Sequence, residues 1–330
     1  MRRKLVSIII PNWNGLKFLK PLLDSVFHQD YDNFDVIFVD CASTDGSADF
    51  VKQNYPQVKI IELKEDKGPT NALNLSISIS TGSYIMLLNN DVILPPKCLG
   101  TLVAELQEDE NSVISPVELD WDRKYRRAGQ GFSFLLGGLH KFFGIRPATP
   151  LAPFWPLAAC CICTKQTLLD TPLNEHLFMY EELEWGWRLH LKNYRVKISF
   201  NTFFIHKCEG TKTGGSPKQA FLYSRLMIST CFICLSVPSF FLLSPFIALY
   251  YFQLGLPYVT QRKLNSFIAY LRGFLDFWLN IGIFVKDRKR AQKERLISDW
   301  EIIKIMEGSL MFQRISKEKW SKQGTTTNDS

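Results

Sequence analysis

The sequence predicts a doubly wound, mostly parallel α/β sheet followed by a C-terminal hydrophobic helical region. Apolar, β-branched runs alternate with helix-period segments over residues 5–206, the pattern of strands joined by crossover helices. Three of those runs stop abruptly at amides or acids, at Asn12, at Asp40 and at Asn89-Asn90-Asp91, as strands do where an open sheet meets its ligand. Further on, residues 226–261 contain no charged side chain at all.

Residues 6–10 form the first strand, and Pro11-Asn12-Trp13-Asn14-Gly15 the loop after it. Leu16, Leu19, Leu22, Leu23, Val26 and Phe27 share one helical face, which residues 28–33 break. Residues 35–39 give a second strand ending in Asp40. The turn residues 41–47 follow, with Ser47 placed to cap a helix that runs to Tyr55 and stops at Pro56. Residues 58–63 are a third strand. A helix over 70–80 follows the Lys67-Gly68-Pro69 turn, and a fourth strand over 84–88 ends before Asn89. The run from Tyr84 is apolar on both faces, so it belongs in the middle of the sheet, with Asp91 at its carboxyl end. A helix over 96–108 and a strand over 113–117 come next. Residues 118–156, with several glycines and the aromatics Phe132, Phe134, Phe142 and Phe143, are expected to be an irregular insertion able to shape an acceptor pocket, or else a solvated loop. Strands resume over 157–163 and over 201–206, the last ending in His206 before a glycine-rich loop at 210–215.

At 330 residues, 46% hydrophobic and 22% charged, the chain suits one large domain or one domain with an appendage. The formal net charge is +7, and the basic residues crowd the two ends, which favours an anionic partner such as a phospholipid surface. Nucleic acid is not expected, because these charges sit beside apolar tails instead of alternating with aromatics along a groove. The eight cysteines lack the histidine partners of zinc fingers, and no signal peptide is apparent, so reduced, mostly buried thiols in a cytosolic domain are expected.

Three features carry candidate chemistry. Asp91, at a strand end, can hold a Mg2+ or Mn2+ ion shared with substrate phosphates, or it can merely cap a loop. In residues 179–189, helical spacing brings Glu181, Glu184 and Arg188 together while Leu183, Trp187 and Leu191 face inward. The acids there either complement a helix dipole or supply a general base. His206 is either a structural histidine or a ligand beside a glycine-rich loop.

Taken together, these segments resemble glycosyltransferase family 2, the inverting GT-A fold group. Ser7-Ile8-Ile9-Ile10-Pro11-Asn12-Trp13-Asn14-Gly15 resembles its opening strand and loop, and Val39-Asp40-Cys41-Ala42-Ser43-Thr44-Asp45-Gly46-Ser47 its second. Leu87-Leu88-Asn89-Asn90-Asp91 resembles its metal and diphosphate motif, and Phe178-Met179-Tyr180-Glu181-Glu182-Leu183-Glu184 its acidic catalytic motif. The resemblance covers residues 5–215 and is greatest to bacterial rhamnosyl- and galactofuranosyl-like transferases of surface polysaccharide synthesis. It implies a GT-A fold that binds a nucleotide-diphosphate sugar. Asp40 would contact the base, with Pro11, Asn12, Asn14 and Ser43 lining the pocket. Gly68 and Asn74 would lie near the ribose, and Asn90 beside the donor. Asp91 and His206 would hold the Mn2+ or Mg2+ cofactor. Glu182 stands where the family has its aspartate base, with Glu181 and Glu184 as substitutes. Asn89 and Asn90 replace acids found in many relatives, Glu182 is one methylene longer than the usual base, and Asp66 stands where an asparagine is common.

The expected domains are a catalytic unit over 1–217 and membrane-associated helices with a basic tail over 218–330. Pro238, Pro245 and Pro257 interrupt the first apolar stretch. The second, over 267–285, carries Arg272 and Asp276, so it suits the membrane interface or a hairpin better than a crossing. The basic run over 286–295 would stay on the cytoplasmic face beside anionic lipid. The function this implies is inverting transfer of one sugar from a UDP- or dTDP-sugar to a lipid-linked or polysaccharide acceptor. The alternative is a catalytically silent scaffold or glycan-binding protein of the same fold, and a homo-oligomer is compatible with either.

Overall fold

In the computed structural model, residues 3–66, 68–133, 151–177, 182–207 and 215–324 are described. Glu181, residues 134–150 and most of the 210–215 loop therefore lie outside the described residues. The first half runs β1 (Val6–Asn12), α1 (Leu16–Phe27), β2 (Phe34–Cys41), α2 (Ser47–Asn54), β3 (Lys59–Leu63), α3 (Pro69–Ile79) and β4 (Tyr84–Leu88). There follow β5 (Val92–Ile93), α4 (Cys98–Glu108), β6 (Ser112–Leu119), β7 (Tyr125–Arg127), β8 (Cys160–Thr164), α5 (Lys165–Asp170), α6 (Glu182–Leu191) and β9 (Arg195–His206). Five helices complete the chain: α7 (Pro217–Cys234), α8 (Val237–Thr260), α9 (Leu264–Leu279), α10 (Ile281–Lys293) and α11 (Asp299–Gly324).

Among the described residues the strands form one nine-stranded sheet in the order β3-β2-β1-β4-β8-β6-β9-β5, with β7 paired to β6. The first four are parallel, as alternating strands and crossover helices require. The second half is mixed. β8 lies antiparallel to both β4 and β6, and β5 antiparallel to β9, so the parallel arrangement ends where the chain stops alternating strand with helix. The chain leaves β1 toward β2 on one side and returns to β4 on the other. That switch of direction opens a crevice at the carboxyl ends of β1, β2 and β4.

Two cores sandwich the sheet. Ile8, Ile10, Met86 and Ile162 point to the side covered by α1 and α4, while Ile9, Ile37, Leu87 and Cys161 point to the side covered by α3 and α6. Strand alternation also explains the cysteines. Cys160 and Cys163 have the spacing of a metal pair, but on β8 they face opposite cores, and all seven described cysteines are buried and free. A third core joins Phe132, Phe154, Leu183, Trp187 and Leu191 to Leu226, Ile233, Phe277, Phe284 and Ile302 of the C-terminal helices.

Several local expectations change. Ser47 does not cap α2. Gly46 takes the cap position with φ 86°, and Asp45 accepts the Ser47 N–H at 3.1 Å. The last strand begins at Arg195, not at residue 201, because β9 pairs β6 on both sides of a bulge between Pro116 and Val117. The insertion is not wholly irregular, since it contributes β7 and two buried core rings, Phe132 and Phe154.

Candidate functional site

The site is assembled from strand ends. Register pairs Asn12 with Asp40 at the tips of β1 and β2. Pro11 is harmless there, because pairing with β4 has ended at Ile9 and no partner on that side needs its missing N–H. The Asn12 amide donates to Asp40 Oδ1 at 3.1 Å and to Ser43 Oγ at 3.2 Å, and its oxygen accepts from Asn90 Nδ2 at 2.7 Å. Asp40 Oδ2 accepts the Ser43 N–H at 2.9 Å, and Ser43 Oγ accepts the Asn14 N–H at 2.9 Å. Asn14 and Ala42 take up left-handed backbone, φ 49° and 57°, where the two loops turn sharply off their strands. Non-glycine residues held there cost energy and cluster at ligand sites. Asn12, Asn14, Asp40, Ser43 and Asn90 thus form one hydrogen-bonded floor, which brings together five of the residues expected to bind the donor.

Asp91 lies one residue before β5, and antiparallel pairing sets Val92 opposite His206. The Lys207 N–H closes that pairing on Asp91 O at 3.0 Å, and His206 Nε2 comes within 3.1 Å of Asp91 Oδ1. The other ring nitrogen, Nδ1, is 2.9 Å from Glu118 Oε1 on β6. Glu118 is completely buried and is also held by Arg127 and by Arg126. Burial alone would raise its pKa, but the His206 hydrogen bond and the Arg127 charge outweigh it and leave Glu118 below the ordinary carboxylate range. A buried carboxylate that holds Nδ1 fixes the ring so that Nε2 points at Asp91. Asp91 and His206 therefore fit a hard divalent cation that takes its remaining ligands from water and phosphate. Among the described residues no cluster of three or more His, Cys, Asp or Glu could hold a metal without such help.

The acidic motif divides. Glu182 opens α6 half-buried, and desolvation raises its pKa; Arg127 opposes that shift and Glu118 adds to it. Both are members of the Asp91–His206 cluster, so Glu182 lies within electrostatic reach of it. Glu184 points elsewhere. It is 1% exposed and binds Arg188 through two bonds, 2.6 and 2.8 Å, while Arg188 also reaches Pro172 O at 2.8 Å. That ion pair occupies both carboxylate oxygens and makes Glu184 a structural residue.

Asn74 also serves the scaffold. Its amide donates to Leu173 O at 2.8 Å and accepts the Leu173 N–H at 3.1 Å, tying α3 to the segment before α6. It lines a cavity of about 510 Å³ with Leu63, Glu65, Asn71 and Glu175. Gly68 starts α3 with φ 86°, and its N–H is bound by Asp66 at 2.8 Å. Neither belongs to the Asn12–Asp40 floor.

Residues 7–164 match the family model described as glycosyl transferase family 2. By that match, residues 7–164, just under half of the chain, carry a glycosyl transferase family 2 domain. Among curated relatives, Glycosyltransferase GlyG of Streptococcus pneumoniae serotype 4 is 30% identical over 34% of this chain and 38% of its own length. The putative teichuronic acid biosynthesis glycosyltransferase TuaG of Bacillus subtilis is 29% identical over 27% of this chain and 36% of its own. The match thus spans less than two fifths of either relative. Solved structures agree over far more of the chain. S. aureus TarS 1-349 superposes with TM-score 0.56 at 15% identity, covering 95% of this chain and 91% of that one. The mannosyltransferase PcManGT from Pyrobaculum calidifontis, in complex with GDP-Man and Mn2+, gives TM-score 0.56 at 15% identity over 98% and 89%. At such identities the likeness establishes the GT-A fold.

Proposed function

We propose that this chain is a divalent-cation-dependent, inverting glycosyltransferase that moves a sugar from a nucleoside-diphosphate donor to a lipid-linked or polysaccharide acceptor of the cell surface. The observation that carries the proposal is the meeting of three distant segments. The Asn12–Asp40–Asn90 floor and the Asp91–His206–Glu118 cluster meet through the chain neighbours Asn90 and Asp91, and the charges of Glu118 and Arg127 act on Glu182.

The chemistry follows from that arrangement. Asp40, Asn12 and Ser43 offer a carboxylate and fixed donors to a nucleobase. Asp91 and His206 would hold a Mn2+ or Mg2+ ion, which supplies charge neutralisation for the departing diphosphate. Glu182 accepts the proton of the acceptor hydroxyl as that oxygen attacks the anomeric carbon and the bond to the diphosphate breaks on the opposite face. A carboxylate whose pKa is raised by burial is a stronger base at neutral pH than a solvated one, which suits Glu182 to this work. PcManGT was solved with Mn2+ and a nucleotide sugar and TarS 1-349 with UDP, which supports the donor class.

Residues 1–217 form the catalytic unit in this reading. Residues 218–330 attach it to the cytoplasmic face of the membrane, where a lipid-linked acceptor is confined and both partners are concentrated. The test is release of nucleoside diphosphate from a panel of UDP-, dTDP- and GDP-sugars, with Mn2+ and with chelator. Cation-dependent release from one donor is expected, and Asp91→Ala is expected to abolish it together with cation-dependent donor binding. Failure to bind or cleave any donor at high protein concentration would leave a silent scaffold of the same fold.

A further inference from the structure

The surface of α8 is divided lengthwise. Phe240, Leu243, Phe246, Ile247, Tyr250 and Leu254 turn into the third core. On the other side Phe241, Leu242, Leu249, Phe252, Leu256 and Val259 are 44–76% exposed. The neighbouring α9 repeats the pattern, with Leu264, Ile268, Leu271, Leu275 and Trp278 at helical spacing and 40–66% exposed. A helix that met water on that side would carry polar residues there. Contiguous apolar surface of this kind marks a contact with an apolar partner.

We propose that α8 and α9 form an in-plane membrane anchor that lies along one leaflet of an anionic bilayer, with neither helix crossing it. The inference rests on the membrane attachment proposed above and specifies its mode. Length alone would permit a crossing: at 24 residues and 1.5 Å per residue, α8 is roughly 36 Å long against a hydrocarbon core of ~30 Å. Its attachments oppose one. Before its first turn, the Ser236 N–H donates to Asp299 Oδ2 at 3.1 Å, and Asp299 opens α11, which packs on β7 and α6. In the middle, the Tyr251 hydroxyl bonds Ser224 of α7, and the Tyr250 ring meets Phe132 edge-on at 6.0 Å. Past its end, Ser266 Oγ donates to Gly215 O at 2.7 Å, just ahead of α7. Both ends and the centre are fastened to one body. Carrying α8 across a bilayer would drag α7, with Lys218 and Arg225, into hydrocarbon.

Charge selects the lipid. Arg262 and Lys263 are exposed at the α8–α9 turn, Arg272 on α9, and Lys286, Lys289, Arg290 and Lys293 on α10. The acid within α9, Asp276, is bound by Arg225 at 2.8 Å. A basic rim around an apolar face matches anionic headgroups above acyl chains.

The test uses the full chain in a Cys208→Ser background carrying Val237→Cys or Gln261→Cys, at the two ends of α8. The other cysteines are buried. Sealed right-side-out and inverted membrane vesicles are treated with an impermeant maleimide. Both positions are expected to label in the same vesicle type. Labelling in opposite types would overturn the in-plane mode while leaving attachment intact, and recovery of the chain in the soluble fraction would overturn attachment itself. Flotation with synthetic vesicles tests the lipid. Binding is expected to be at least about tenfold stronger with phosphatidylglycerol than with phosphatidylcholine alone at low salt. Leu242→Asp with Phe252→Asp and Leu275→Asp is expected to weaken it by about tenfold or more at unchanged melting temperature. Equal binding to both vesicles would refute the anionic preference. A chain that ignored lipid yet dimerised through this face would refute the lipid occupant.

Discussion

Glu182 and Glu184 stand two residues apart and do opposite things. Among the described residues Glu182 makes no ion pair and feels the charges of Glu118 and Arg127, whereas Glu184 is paired with Arg188. Glu182→Gln is expected to keep donor affinity and lower transfer by about 10²–10⁴-fold, the usual scale of general-base catalysis. Glu184→Gln should do the reverse, costing about 3–5 kcal/mol of stability by stranding a buried guanidinium while folded molecules remain active. Donor titration, steady-state transfer and chemical denaturation of both variants separate the roles, and a folded but inactive Glu184→Gln protein would move the base. Glu118 makes a third case. As the partner that orients His206, it is expected to lose about 10–100-fold in Mn2+ affinity on Glu118→Gln, read by titrating the ion with donor present; unchanged affinity would detach it from the centre. Asp40, Asp91 and the acidic motif were legible in the sequence because each interrupts an apolar run at a strand or helix end. Glu118 was not, since it lies inside the apolar strand β6 and its partner His206 is 88 residues away. The Arg188 partnership of Glu184 was legible in its i,i+4 spacing, but only burial shows that it removes Glu184 from the chemistry.

At the scale of elements, α6 carries Glu182 on a helix whose opposite end is clamped by His190. Burial lowers the His190 pKa to about 4 despite the favourable bond its Nε2 makes with Phe154 O at 2.8 Å. The unfolded chain then takes up a proton near pH 6.5 that the folded chain refuses until about pH 4, so stability falls as pH drops through that window. Between pH 7 and pH 5 the loss from this one group should be about 2 kcal/mol. Urea unfolding at the two pH values measures it, and His190→Gln should remove most of the difference while lowering stability at pH 7. The loop after β1 supports a second expectation. A Cβ on Gly15 would collide with Asn90 Nδ2 and Asn12 Oδ1, so Gly15→Ala should part those amides and weaken donor binding with little change in melting temperature. Donor titration and a thermal melt decide it. The early elements were legible because their strands are short apolar runs between turn residues. β9 was half-legible, since its first part alternates polar and apolar residues and meets its partner across a bulge. The last helix, α11, offers no comparable signal: its apolar residues are spread around it and acquire a buried side against β7, α6 and the third core.

For the whole molecule, the third core changes what truncation can test. Leu183, Trp187, Leu191 and Phe154 belong to the catalytic half by sequence, yet they are buried against α7, α10 and α11. Ser133 Oγ donates to Glu307 Oε1 at 2.6 Å, and Tyr125 OH lies 3.0 Å from Ser316 Oγ, so the tail also closes over the segment after β6. Uncovering four large apolar side chains would cost about 1.5–3 kcal/mol each, together comparable to the ~5–15 kcal/mol that holds a domain folded. A chain ending at residue 217 should therefore aggregate, or melt far below the full protein, even though the sheet and every proposed catalytic residue are retained. Thermal melts and size-exclusion profiles of the truncated and full-length chains provide the measurement. A truncated chain that is soluble, cooperative and binds donor would show that the helices are an appendage and that the sheet is stable without the third core. If instead the truncated chain fails to fold, the helices proposed to face the membrane also complete the core behind α6, and the position of Glu182 depends on the same packing that shapes the proposed anchor.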